Sequence, residues 1–115
     1  MVTLTLLMFG RIVFLVNNAS ITSQIPMSEL NEVTEKLWDS LFAVNVKGMF
    51  YCVKAVFAYM KKQSAGAIVN YGSVVRVSGI GSSIAYAATK SAIHTMTRSL
   101  ATLLAPKVRV NCISP

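Results

Sequence analysis

Tyr86 and Lys90 stand four residues apart, so on a helix they share one face. A phenol titrates near about 10 and is a poor base alone at neutral pH. A lysine ammonium beside it stabilises phenolate, which lets the pair move a proton to or from an alcohol or carbonyl oxygen. A Tyr/Lys pair at this spacing is more often plain helix surface, and its surroundings make the difference here. Ser73 lies 13 positions before Tyr86, at the end of an apolar run. A hydroxyl there is suited to hold a substrate oxygen and stabilise charge developing on it. Asn45 lies 28 positions before Ser73, in the middle of a helical pattern where asparagine is locally unfavourable. It is tolerable there if its backbone or amide anchors a water for a proton relay.

These four residues need elements to position them. Ile12–Val16 is a short, β-branched apolar run stopped by Asn17-Asn18, the pattern of a strand buried on both faces. Ser28 is a plausible N-cap for a helix beginning at Glu29, with acids in the first turn facing the positive end of the helix dipole. Trp38, Leu41, Phe42, Asn45, Phe50, Val53, Phe57 and Met60 continue that helix, which Gly48 weakens locally and Ser64-Ala65-Gly66 ends. Ala67–Tyr71 reads as a second buried strand, Gly72–Ser83 as a small-residue loop, Ile84–Leu104 as a helix and Val108–Ile113 as a third strand. The order β-α-β-α-β implies an α/β fold with a parallel sheet and right-handed crossovers. Ligands of such sheets sit at the carboxyl ends of the strands. Those ends are Asn17–Ser20, Gly72–Ser73 and Ser114–Pro115.

Composition narrows the classes. The 115 residues are 54% apolar and 13% charged, with few Gly and Pro, which excludes disordered and collagen-like chains. The length suits one domain spanning 1–115. Cys52 and Cys112 have no metal-ligand or disulfide spacing and read as reduced, buried thiols of a cytoplasmic protein, with no metal site. Net charge is +7, and all four acids (Glu29, Glu32, Glu35, Asp39) fall within eleven positions. The basic residues are scattered without interleaved aromatics, so no nucleic acid is expected as a partner. Neither Met1–Val16, interrupted by Arg11, nor 49–60, interrupted by Lys54, reaches the roughly 18 apolar residues of a spanning helix, so no membrane partner is expected. Gly79-Ile80-Gly81 lacks the third glycine of a dinucleotide fingerprint and reads as a flexible substrate-side loop. His94 reads as a satisfied core or interface residue, without a catalytic role.

The sequence resembles the short-chain dehydrogenase/reductase family. The resemblance is carried in order by Phe9-Gly10-Arg11-Ile12, Leu15-Val16-Asn17-Asn18-Ala19, Asn45-Val46-Lys47-Gly48, Gly66-Ala67-Ile68-Val69-Asn70, Gly72-Ser73, Tyr86-Ala87-Ala88-Thr89-Lys90 and Val108-Arg109-Val110-Asn111-Cys112-Ile113-Ser114-Pro115. It implies a partial Rossmann-like sheet and hydride transfer between NAD or NADP and a small carbonyl/alcohol substrate. By resemblance, Tyr86 is the catalytic acid/base, Lys90 its charged neighbour and a ribose ligand, Ser73 the substrate-oxygen orienter, and Asn45 the relay-water anchor. Asn17 and Ala19 would line the cofactor's ribose, and Ile113 through Pro115 would open the nicotinamide-side loop.

The family's glycine-rich phosphate loop is not among these residues, Met1–Met8 does not resemble the helix expected before Phe9, and Ser20 replaces the usual glycine of the Asn-Asn-Ala-Gly turn. The resemblance is therefore to the middle of a member, and weak or absent cofactor binding is expected from these residues alone. The competing expectation is an inactive fragment serving as an oligomerisation or interaction module, or a truncated gene model. The run 49–60 and the face Ala88, Ala92, Met96, Ser99, Leu103 would be its seam, in a homo-oligomer or with a relative. An unpaired edge on the first strand would be a further association liability.

Overall fold

The computed structural model describes all 115 residues. Helix α1 (Val2–Phe9) leads to strand β1 (Phe14–Asn17). A 3-10 turn (Leu30–Glu32) precedes α2 (Glu35–Leu41), a π-helical stretch (Phe42–Gly48) and α3 (Met49–Gln63). Then follow β2 (Gly66–Tyr71), the short α4 (Val75–Ser78), α5 (Ile84–Leu104) and β3 (Val108–Ile113). The three strands lie in the order β1-β2-β3, all parallel, as the alternation of strands and helices predicts. Phe14 pairs with Ala67 and Asn17 with Asn70, while Gly66 pairs with Val108 and Tyr71 with Ile113.

The core lies between the sheet and the pair α3/α5. Leu15, Ile68, Val108 and Val110 point into it from the strands; Met49, Val53, Val56 and Met60 meet them from α3, and Ile93, Leu100 and Leu104 from α5. The opposite face is open at β1. Phe14 is 71% exposed and Val16 58%, so β1 is buried on one side only, contrary to the expectation from its unbroken apolar run. Apolar content records what a strand is able to bury, and α3 and α5 pack on the Leu15 side.

Five local expectations change. The helix expected from Glu29 with Ser28 as cap begins instead at Glu35, where the Thr34 side chain accepts from Leu37 N–H at 3.2 Å. Only Glu35 of the acids lies in that first turn. The Gly72–Ser83 loop contains the one-turn α4. The segment expected to depart from the family's helix forms α1 (Val2–Phe9), with no fully buried residue; Val2 and Leu6 rest on the margin of the core. Glu35–Gln63 is continuous over 29 residues and apolar enough to span a membrane by length and composition, further than the run 49–60 indicated. Its stripe Leu41, Met49, Val53, Val56, Met60 is buried, as in a helix packed on a sheet. Cys52 and Cys112 are free and half-buried rather than buried.

Candidate active site

The site grows from the carboxyl ends of the three strands. Ser83 caps α5, its hydroxyl accepting from Tyr86 N–H at 3.2 Å, which sets Tyr86 in the first turn. Lys90 follows one turn later and is 3% exposed. Its ammonium donates to the Tyr71 carbonyl at the end of β2 at 3.0 Å and lies 5.4 Å from the centre of the Tyr86 ring. Burial lowers the Lys90 pKa from its ordinary 10.5, outweighing an opposing electrostatic interaction with Cys112. The four-residue spacing thus becomes a held geometry: phenol and ammonium together, anchored to a strand end.

Ser73 sits just past β2, half-buried, with its oxygen accepting from Val75 N–H at 3.4 Å. Its own hydroxyl proton is uncommitted. The segment after β3 is strapped alongside: Gly72 N–H donates to Ile113 O at 2.7 Å and Val74 N–H to Pro115 O at 3.0 Å. Arg76 adds a 3.3 Å bond to the Ser114 hydroxyl. A Cβ on Gly72 would lie 2.7 Å from Cys112 Sγ and 2.8 Å from Ser114 Oγ, so a larger residue here would require both side chains to shift. Ser73 and Ile113–Pro115 are therefore brought together through backbone contacts.

Asn45 is 1% exposed and lies within the π-helical stretch, a distortion frequent at functional sites. Its oxygen accepts from Ile21 N–H at 2.8 Å, and its nitrogen donates to Ile21 O at 2.9 Å and Thr89 Oγ1 at 3.2 Å. Both amide protons are taken. Asn17, half-buried, donates its amide to Asn70 Oδ1 at 2.9 Å; Ala19 is exposed nearby in sequence.

Sequence reasoning missed Thr89, Asn70, Ser83 and Arg76. The Ser83 cap was legible as a serine just before the helix. Thr89 and Asn70 carry no local signal, because their partners are distant in sequence. His94, expected to be satisfied, has a buried Nδ1 without a partner.

A family model described as short chain dehydrogenase matches residues 1–115. The chain belongs to the short-chain dehydrogenase family. It is 42% identical over 108 residues to the 3-oxoacyl-[acyl-carrier-protein] reductase FabG of Thermotoga maritima, covering 93% of this chain and 43% of that protein. Among solved structures it superposes on NAD+-bound xylitol dehydrogenase (TM-score 0.90, 36% identity, 99% of this chain and 44% of that one). It likewise superposes on ElxO with NADP bound (TM-score 0.91, 33% identity, 99% and 46%). The chain thus spans less than half the length of these three proteins. Oxidoreductase membership and the Rossmann-like parallel sheet follow from these similarities.

Proposed function

We propose that this chain supplies the acid/base half of an NAD- or NADP-dependent carbonyl/alcohol oxidoreductase, with Tyr86 exchanging the proton. The observation that carries the reading is Lys90, buried, bonded to the end of β2 and set beside the Tyr86 ring. FabG, xylitol dehydrogenase and ElxO, which the chain resembles, support it.

The donor set fits the nicotinamide-ribose side of the cofactor. Lys90 commits one N–H to Tyr71 and keeps two for ribose hydroxyls; Asn17 keeps an acceptor, and Ala19 adds no bulk. The pyrophosphate side finds no cradle: α5 has its first turn capped by Ser83, and no glycine-rich turn opens a helix. The bound nicotinamide would supply or accept the hydride. In the reduction direction the Ser73 hydroxyl orients the substrate oxygen and Tyr86 gives it a proton. The Lys90 ammonium stabilises the phenolate left behind. Ile113 and Pro115 form the wall beyond Ser73, held by the Gly72 and Val74 bonds.

With excess NADPH and a small ketone, Tyr86→Phe is expected to slow reduction about 10²–10⁴-fold. Equal rates in both proteins would overturn the assignment. Fluorescence titration of the purified chain with NADPH is expected to show weaker than micromolar binding, and micromolar affinity would show that the pyrophosphate is held after all.

A second reading, an interaction module, draws on the exposed apolar surface. Phe50, Phe57, Leu100, Leu103 and Leu104 line a groove of about 260 Å³ between α3 and α5. The homo-oligomer or pairing with a relative expected from the sequence would use this groove. Absence of ketone reduction together with a concentration-dependent sedimentation coefficient would favour this reading; a soluble monomer would sink it.

A further inference from the structure

We propose that Thr89 is a positioning residue for the Tyr86–Lys90 turn, its hydroxyl linking that turn through Asn45 to the backbone of Ile21. The inference rests on the reading of Tyr86 as the acid/base. Thr89 is 0% exposed, in the interior of α5, where a threonine gains little from local helix energetics. A buried hydroxyl must place its proton. This one donates to the Tyr86 carbonyl at 2.7 Å and accepts from Asn45 Nδ2 at 3.2 Å.

The direction of each bond is forced. Ile21 presents both its N–H and its carbonyl to the Asn45 amide, at 2.8 and 2.9 Å. Only one orientation of the amide satisfies both, with oxygen toward the N–H and nitrogen toward the carbonyl. The second Nδ2 proton then faces Thr89, whose oxygen must accept it and whose proton must go elsewhere. It goes to the residue that carries the phenol. The result is one ordered chain of bonds from the loop after β1, through the π-helical stretch, to the first turn of α5. The neighbouring strap strengthens the same loop: Ile25 N–H donates to Ser82 O at 2.6 Å and Thr22 bonds the Ser82 hydroxyl.

An internal control exists eight residues further along α5. Thr97 accepts from Asn70 Nδ2 at 3.0 Å and donates to Ile93 O at 2.8 Å, the same arrangement away from Tyr86. If the link is specific, only the first threonine communicates with Ile21.

Amide hydrogen exchange followed by NMR on the full chain tests this without cofactor or substrate, so its failure is separable from failure of the ketone-reduction assay. Thr89→Ser and Thr89→Ala both remove the methyl and differ by the hydroxyl alone. Thr89→Ala is expected to speed exchange of the Ile21 amide about fivefold, the loss of one net hydrogen bond, with Thr89→Ser within about twofold of the parent on the same scale. Thr97→Ala should leave Ile21 unchanged. The proposal is overturned if Ser and Ala behave alike, if the central-strand Ile68 amide accelerates as much as Ile21, or if Thr97→Ala releases Ile21 equally. The parent supplies a measurement independent of any variant. The Thr89 hydroxyl proton should exchange slowly enough to be seen and show a cross-peak to the Asn45 amide; its absence in the folded parent would also overturn the link.

Discussion

The two faces of the sheet are built from similar residues and meet opposite fates. Leu15, Ile68, Val108 and Val110 are sealed under α3 and α5, while Phe14, Val16 and Ile113 on the other side are 71%, 58% and 49% exposed. β1 shows the contrast within four residues, since Leu15 is buried between two exposed apolar neighbours. Hydrophobicity is therefore not the same as coverage. An exposed apolar face of this kind would favour association, and β1 lies at the edge of the sheet beside it. The catalytic candidates sit at the rim between the two faces, where α5 meets the strand ends.

The largest test of this contrast sets the centre of the sealed face against the open one. Ile68→Ala should lower stability by about 2–5 kcal/mol in urea unfolding. Phe14→Ser should change it by no more than about 0.5 kcal/mol. Comparable losses would mean that Phe14 is covered in solution. A somewhat smaller loss, about 1–3 kcal/mol, is expected from Asn70→Leu, which strands the Asn17 amide and leaves Thr97 without its donor inside the sealed face. If Asn70→Leu is neutral, the polar link from β1 to α5 contributes nothing to folding.

Next comes association. Phe14→Ser combined with Val16→Ser should weaken self-association about tenfold, equivalent to about 1.4 kcal/mol, read by sedimentation velocity. An unchanged profile would confine the seam to the α3/α5 groove.

The smallest effect concerns pH at the rim. Lys90 has its pKa lowered by burial, so the folded chain binds fewer protons than the unfolded one between that lowered value and the ordinary 10.5. Stability should therefore rise with pH across that window, as the burden of the buried ammonium is relieved. Lys90→Met should be least disadvantaged, or even more stable, below the window, and should lose relative ground as pH climbs through it. A parent and variant whose stabilities stay parallel from neutral pH to 10.5 would show that the ammonium carries no such burden.

Much of this was legible before any coordinates. Helix α5 and strand β3 fall on the residues their periodicity indicates, Ile84–Leu104 and Val108–Ile113. The helix after β1 starts at Glu35 rather than Glu29 because Thr34, not Ser28, accepts from a first-turn amide and the turn that follows packs through Leu41. For the candidate site, residue types at Ser73, Tyr86 and Lys90 were readable, since their chemistry depends on local spacing and strand ends. The partners that order them were not. Thr89 meets Asn45 across 44 positions and Lys90 meets the Tyr71 carbonyl across 19.

The sequence alone determined the alternation of strands and helices, the parallel sheet it requires and the family, because each rests on short-range periodicity or on motifs read in order. The tertiary structure alone decided which face of β1 is closed, that both protons of the Asn45 amide are taken, and that Lys90 is buried against Tyr71. Each of these is a contact between residues remote along the chain, and burial and hydrogen-bond direction belong to such pairs rather than to either residue.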